Sequence, residues 1–361
     1  MRFFNTAGPI KPDINYYIPP LGRLNRTEVL LLIEQQRYFV MHAPRQTGKT
    51  TALLALVDEL NSSGRYRCLY VNVEVGQSAR EDVGAAMQAI LNQIAYRAEI
   101  VLGDLFVAEI WPDILNRAGP NEALREVLSR WAAADARPVV LLIDEIDALI
   151  GDTLLAVLRQ LRAGYPDRPQ HFPQTVVLCG VRDVRDYRIQ STAENALVAG
   201  GSAFNIRTKS LRLGDFSPDE VQTLLAQHTQ TTGQVFTEDA QNEVWHLTQG
   251  QPWLVNALAY EACFDNKAGR DRSRPITAEA ISDAREQLIL RRETHLDQLT
   301  HKLQEERVRR VVEPLLIGAE AYEALPQDDI EYVRDLGLVR RQGPIAIANP
   351  IYQEVIPRDL T

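Results

Sequence analysis

Cysteine is scarce in this sequence: Cys68, Cys179 and Cys263 are the only three in 361 residues, each inside an apolar run and none with a CxxC partner. That usage argues against a disulfide framework or a zinc site, and buried free thiols are expected. The six histidines fall into no metal-ligand spacing. Long apolar runs are missing too. Nothing approaches the ~20 residues a membrane span requires, and the opening MRFFNTAGPIKP lacks the apolar stretch of a secretory leader. A cytoplasmic location without a membrane partner is the expectation. Positive charge is in deficit, with 39 Lys and Arg against 48 Asp and Glu and a net charge of -9, so the chain is not one that coats nucleic acid by overall charge. A local basic patch stays open. No internal repeat or low-complexity tract is visible, which implies successive packed units, two or three of them at roughly 150 residues each.

What the sequence does hold is a set of short, β-branched, wholly apolar runs: RYFVMHA from Arg37, RCLYVNVEV from Arg67, PVVLLIDEID from Pro138 and TVVLCGV from Thr175. Strands covered on both faces read this way, so they form the core of one parallel sheet, with a fifth strand in FNIRTKSLRL from Phe204. Helical patterns alternate with them, at Thr50 to Leu60, Ala79 to Ala98, Asn121 to Ala134 and Asp152 to Ala163. This β-α order predicts an α/β domain over residues 1–213.

After Leu213 the character changes. Ser217, Pro218 and Glu220 make a capped helix start, and further helices begin near Thr237, Pro252 and Thr277, the last running to about Arg292. Residues 214–303 are expected to be a helical lid. The remaining residues, 304–361, read as a helix from Gln304 to Gly318, a helix from Asp328 to Leu336, and two short strands turning at Gly343-Pro344, the order of a winged helix.

The segment APRQTGKTT sets Gly48, Lys49 and Thr50 directly after a buried strand and at the start of a helix, where backbone N–H groups and the helix dipole can hold phosphates. Ala43, Pro44, Arg45, Gln46, Thr47, Gly48, Lys49, Thr50 and Thr51 are therefore candidate nucleotide contacts, with Lys49 reaching the β and γ phosphates and Thr50 binding Mg²⁺. Ala43 stands where the usual G-x-x-x-x-G-K-[ST] pattern has its first glycine, and some strain is expected there. Gly-Lys-Thr alone is a weak signal, and context has to carry it. LLIDEID supplies that context: a buried strand runs into adjacent acids at its C-terminal end, the edge of an α/β sheet where ligands bind. Asp144 would hold Mg²⁺ or its water, and Glu145 would polarise the attacking water as general base. Without the loop, the same two acids would read as a solvated strand end.

With these residues in view the chain resembles the AAA-like and STAND group of P-loop ATPases, especially the archaeal-type ATPases with a helical lid and winged helix. The likeness rests on APRQTGKTT, VVLLIDEID, the strand-end CGVRDVRDYR, the lead-in YYIPPLGRLNR, and Gly250-Gln251-Pro252 within LTQGQPWLV, which looks like the Gly-x-Pro module of STAND proteins. It implies an ATP/ADP and Mg²⁺ cofactor pair. It also implies a γ-phosphate sensor, best matched by Arg182, with Arg185 and Arg188 as subunit or nucleic-acid contacts or plain surface. Pro252 with Trp253 would meet the nucleotide from the lid, or else simply start a helix with a core tryptophan. Tyr17, Ile18 and Arg23 match the stretch that contacts the base in the family. No arginine finger is recognisable, Arg168 fitting no motif, and slow turnover follows. The sequence stops at IPRDLT without the repeat array many STAND proteins carry as a sensor, so the input signal is unidentified, and a separate protein is an expected source.

Three uses of the nucleotide are consistent with this reading. The first is a regulatory ATPase switch in a signalling or defence setting, with a protein partner or homo-oligomer. The second is an ATP-controlled DNA-binding protein of initiator or transposition type, supported by Arg307, Arg309, Arg310, Arg340 and Arg341 but opposed by Glu323, Asp328, Asp329, Glu331 and Asp335. The third is a scaffold that binds nucleotide without turnover.

Overall fold

The computed structural model describes residues 1–183, 187–191, 196–199, 204–291, 296, 302–316 and 325–360. The chain divides into two compact units. One comprises Leu24–His42 and Lys49–Leu213; the other comprises Met1–Arg23, Ala43–Gly48 and everything from Gly214 onward.

The first unit is a parallel α/β layer structure. In chain order it holds α1 (Arg26–Glu34), β1 (Tyr38–His42), α2 (Lys49–Ser62), β2 (Arg67–Asn72), α3 (Val83–Leu102), α4 (Phe106–Ala118), α5 (Ala123–Ala133), β3 (Val139–Asp144), α6 (Gly151–Ala163), β4 (Thr175–Gly180), β5 (Arg188–Ser191), β6 (Ala196–Ala199) and β7 (Arg207–Arg212). Five strands pair in the order β2-β3-β4-β1-β7, every pairing parallel, while β5 and β6 form a separate antiparallel pair. All six residues of β3 and of β4 are buried, as runs with no polar face demand once helices cover both sides of a sheet. Among the described residues, Trp131, Tyr38, Phe39, Phe172 and Phe204 are the largest fully buried side chains of this unit.

All five expected strands are present, and the helices differ in detail. The single helix expected from Ala79 becomes a 3-10 turn over Val73–Ala79 followed by α3, because the Asp82 side chain accepts from Ala85 N–H and starts the helix there. Two helices were not anticipated from sequence. In α4 the internal Pro112 interrupts the pattern, and α1 sits within what reads as lead-in to the loop.

The second unit contains α7 (Pro218–Thr232), α8 (Glu238–Thr248), α9 (Pro252–Tyr260), α10 (Ala278–Leu290), α11 (Glu306–Leu316), α12 (Gln327–Asp335) and α13 (Pro350–Leu360). Ser217 and Glu220 form the expected capping box, and the side chains of Thr237 and Thr277 cap α8 and α10. The expected helix ends at Arg292 and Gly318 lie outside the described residues. Between α12 and α13 a short antiparallel bridge joins Val339 to Ile347, with Gly343 at φ +80° in the turn. The closing helix α13, with Pro357 inside it, was not anticipated. The N-terminal arm packs into this unit's own core: the Phe4 and Tyr16 rings lie 4.9 Å apart, and Tyr16 OH is 3.2 Å from Nδ1 of the buried His228. Burial lowers the pKa of that histidine.

All three cysteines are buried and unbonded, and burial pushes each thiol up, Cys263 to about 12. No helix among the described residues is long and apolar enough to cross a membrane.

Candidate functional site

The strand order places the C-terminal ends of β3, β4 and β1 side by side, the edge at which an open parallel sheet binds ligands. At the end of β3, Asp144 is completely buried. Its Oδ2 accepts the Thr50 hydroxyl at 2.8 Å and the Tyr70 hydroxyl at 3.1 Å, and its Oδ1 accepts the Glu145 N–H at 3.0 Å. Thr50 is the second residue of α2, and Lys49, the first, is buried. The two expected metal-binding residues, Thr50 and Asp144, are thus brought together. Tyr70, on the strand next to β3, went unnoticed in the sequence because it reads as one more apolar position in RCLYVNVEV. Burial first and Asp144 second push its phenol well above the ordinary range, so it stays a donor at any physiological pH.

Glu145 takes a left-handed backbone, φ 56°, which a non-glycine residue adopts at a cost of about 1 kcal/mol or more. Such strain persists where surrounding structure enforces it, here between a fully buried strand and the 3-10 turn Ile146–Ala148. Asp147 in that turn accepts the Val181 N–H at 3.4 Å, tying β3's exit to β4's. Arg182 follows two residues after Gly180, half-buried, and its carbonyl accepts from Tyr187 OH at 3.4 Å. Arg185 lies outside the described residues, and of Arg188 only the backbone is described, in β5.

The loop Ala43–Gly48 leaves β1 and leads into α2. Gln46 at φ +58° and Gly48 at φ +91° put two left-handed residues among ordinary ones, an alternation of the kind that can turn successive N–H groups toward an anion. Thr47 is buried and its hydroxyl donates to the Pro44 carbonyl at 2.8 Å, bracing the loop from within. Ala43 is buried but is not left-handed, so the strain expected for alanine at this position does not arise. A nucleotide phosphate fits this loop, and a divalent cation fits the hydroxyl and carboxylate of Thr50 and Asp144.

The remaining candidates are held as follows. Tyr17 exchanges two backbone hydrogen bonds with the Gln227 side chain, and Ile18 is buried. Arg23 donates to the carbonyls of Thr47 and Gly214. Burial lowers its pKa to about 10 against the opposing pull of Glu220 and Asp215. Pro252 opens α9, where Gln251 caps the helix, and Trp253 donates its indole N–H to the Thr6 carbonyl at 2.9 Å.

Residues 33–187 match the model of the AAA domain. No curated protein sequence matches the chain. Among solved structures, the Walker-type ATPase of Pyrococcus abyssi is 13% identical with a TM-score of 0.64, the alignment covering 98% of this chain and 99% of that one. Cdc6p of Pyrobaculum aerophilum is 17% identical, with 93% of each chain covered and a TM-score of 0.47. The RuvB Holliday junction branch migration motor of Thermotoga maritima is 14% identical over 92% of this chain and 93% of that one, with a TM-score of 0.45. The chain therefore has the parallel α/β fold of P-loop NTPases, and its residues 33–187 are similar to the AAA domain.

Proposed function

We propose that the protein binds ATP with Mg²⁺ and hydrolyses it slowly, as a STAND-type switch whose nucleotide state sets the arrangement of a lid over residues 214–303 and a winged helix over residues 304–361. The observation that carries the reading is the 2.8 Å hydrogen bond from Thr50 to Asp144 immediately after the loop. A hydroxyl and a buried carboxylate held together at the start of a phosphate-loop helix are the pair that a Mg²⁺-nucleotide needs. When bound, the cation would neutralise charge on the phosphates. Lys49 then adds a fixed positive charge, Glu145 takes the proton of the attacking water, and Arg182 stabilises charge on the γ-phosphate. No arginine finger is assigned, so turnover well below one per second is expected. Signalling or defence in the cytoplasm, with a protein partner or a second copy, is the setting that suits a slow switch.

The DNA-binding alternative loses much of its support. Arg309 pairs with Glu313, Arg310 with Glu306 and Asp329, and Arg307 with Asp329, so the charge that would meet phosphates is already countered. Arg340 and Arg341, both exposed beside the Val339–Ile347 bridge, are what it retains.

The test is titration of wild type and Lys49→Ala with fluorescent ATP and ADP in Mg²⁺, with phosphate release followed with and without duplex DNA. Binding lost in the variant and slow release by wild type are expected. Failure of wild type to bind nucleotide would overturn the reading, and stimulation by DNA would favour the alternative.

A further inference from the structure

Three contacts meet on Arg23, all within the unit that contains the loop. Nη2 donates to the Thr47 carbonyl at 2.7 Å and Nη1 donates to the Gly214 carbonyl at 3.1 Å. The Phe216 ring packs against the guanidinium, 4.9 Å to its centroid. Gly48 leaves room for the same group: a Cβ there would stand 2.9 Å from Nη2.

The peptide joining Thr47 to Gly48 is planar, so its carbonyl and its N–H point in opposite directions. A donor that fixes the Thr47 carbonyl therefore also aims the Gly48 N–H. Gly48 is one of the two residues of the loop with a left-handed backbone, at φ +91°. Because glycine resists few conformations, that orientation needs an outside restraint. The second carbonyl belongs to Gly214, the residue directly after Leu213, where the chain leaves the sheet unit.

We propose that Arg23 is the positioning residue of the phosphate loop, holding the Thr47–Gly48 peptide in its phosphate-facing orientation and fastening it to the first residue of the helical region. The assignment rests on reading the loop as a nucleotide site. It gives Arg23 a role through the loop backbone in place of the direct base contact that its resemblance implies. The planar fork matters here, since two carbonyls are reached by separate nitrogens in fixed geometry, which a lysine ammonium on a flexible stem does not reproduce.

The test compares wild type, Arg23→Lys and Arg23→Gln for ATP and ADP affinity, for KM and kcat of phosphate release, and for melting without nucleotide. Arg23→Lys is expected to weaken ATP and ADP alike by about tenfold and to raise KM by the same factor, with kcat within about twofold of wild type. Arg23→Gln is expected to lose more affinity, and should it fail to fold, Arg23→Lys carries the test alone. Native affinity and KM in folded Arg23→Lys would overturn the proposal, as would a loss of affinity that only follows a lowered melting temperature. If wild type itself binds no nucleotide, the reading beneath the proposal fails, which is a different result from a binding wild type with indifferent variants.

Discussion

The two ends of one sheet treat buried charge in opposite ways. At the C-terminal end, Asp144 is fully enclosed and is held by two hydroxyls and a backbone N–H, all neutral groups. At the N-terminal end, Arg67 is equally deep and is closed in by ions and a ring. It pairs with Asp104, approaches Asp135 at 3.8 Å and lies 5.0 Å from the centre of the Trp131 ring. Trp131 donates its indole N–H to that same Asp104 at 2.7 Å, and a cavity of about 250 Å³ lined by these charges opens alongside. A charge whose neighbours already cancel it has little left to offer a ligand, whereas a carboxylate held only by hydroxyls and an N–H suits the cation proposed above. Depth alone does not mark function; the kind of partner does.

Four experiments test this contrast. Glu145→Gln should lower phosphate release by about a hundredfold or more while ATP affinity and melting temperature stay close to wild type, since it removes a proton acceptor without removing packing. Unchanged release would remove Glu145 from the chemistry. Arg67→Met should do the reverse, costing about 3 kcal/mol in denaturant unfolding through the stranded Asp104, with native ATP affinity in the folded fraction. A loss of affinity at native stability would abolish the distinction between the two ends. Tyr70→Phe withdraws one hydroxyl from Asp144 and is expected to weaken Mg²⁺-dependent binding by only a few-fold, about 1 kcal/mol; titration of Mg²⁺ at fixed ATP measures it.

The smallest effect concerns acid. Hydrogen bonds from Arg137 hold the Asp135 carboxyl down at about 2, below its ordinary value near 4. Its contribution to stability is complete above pH ~4 and disappears as pH falls toward 2. Melting of wild type and Asp135→Asn should therefore differ near neutrality and converge in that window. A constant difference down to pH 2 would show that the ion pair is not its source.

The core of the sheet was legible because β1 to β4 are dominated by apolar residues, and the loop because Gly48-Lys49-Thr50 follows one such run; β7, RTKSLR, carries no such run and was read from its place in the β-α order. The capped starts at Ser217, Thr237 and Thr277 were legible for the same local reason: a cap is written in three or four adjacent residues. What went unread depends on neighbours distant in the chain. Tyr70 acquires its role only because β2 pairs with β3, and Arg23 only because its guanidinium reaches Thr47, 24 positions on. Pro112 in α4 and Pro357 in α13 hid those helices in a different way, since the residue that argues against a helix is tolerated where other packing holds the turn together, as Pro314 is in α11, which was read.

β1 sits inside the sheet, laddered to β4 on one side and β7 on the other. In mechanical terms it is a clamped beam, and the loop that leaves His42 starts from a fixed support. A push on the loop cannot be absorbed by sliding β1, because that would shear two hydrogen-bonded ladders at once. The compliance is confined to the few dihedrals after the strand, the left-handed Gln46 and Gly48 chief among them. Were a phosphate bound there, a displacement of it would fall on those few dihedrals, against the hydrogen bond from Arg23 to the Thr47 carbonyl.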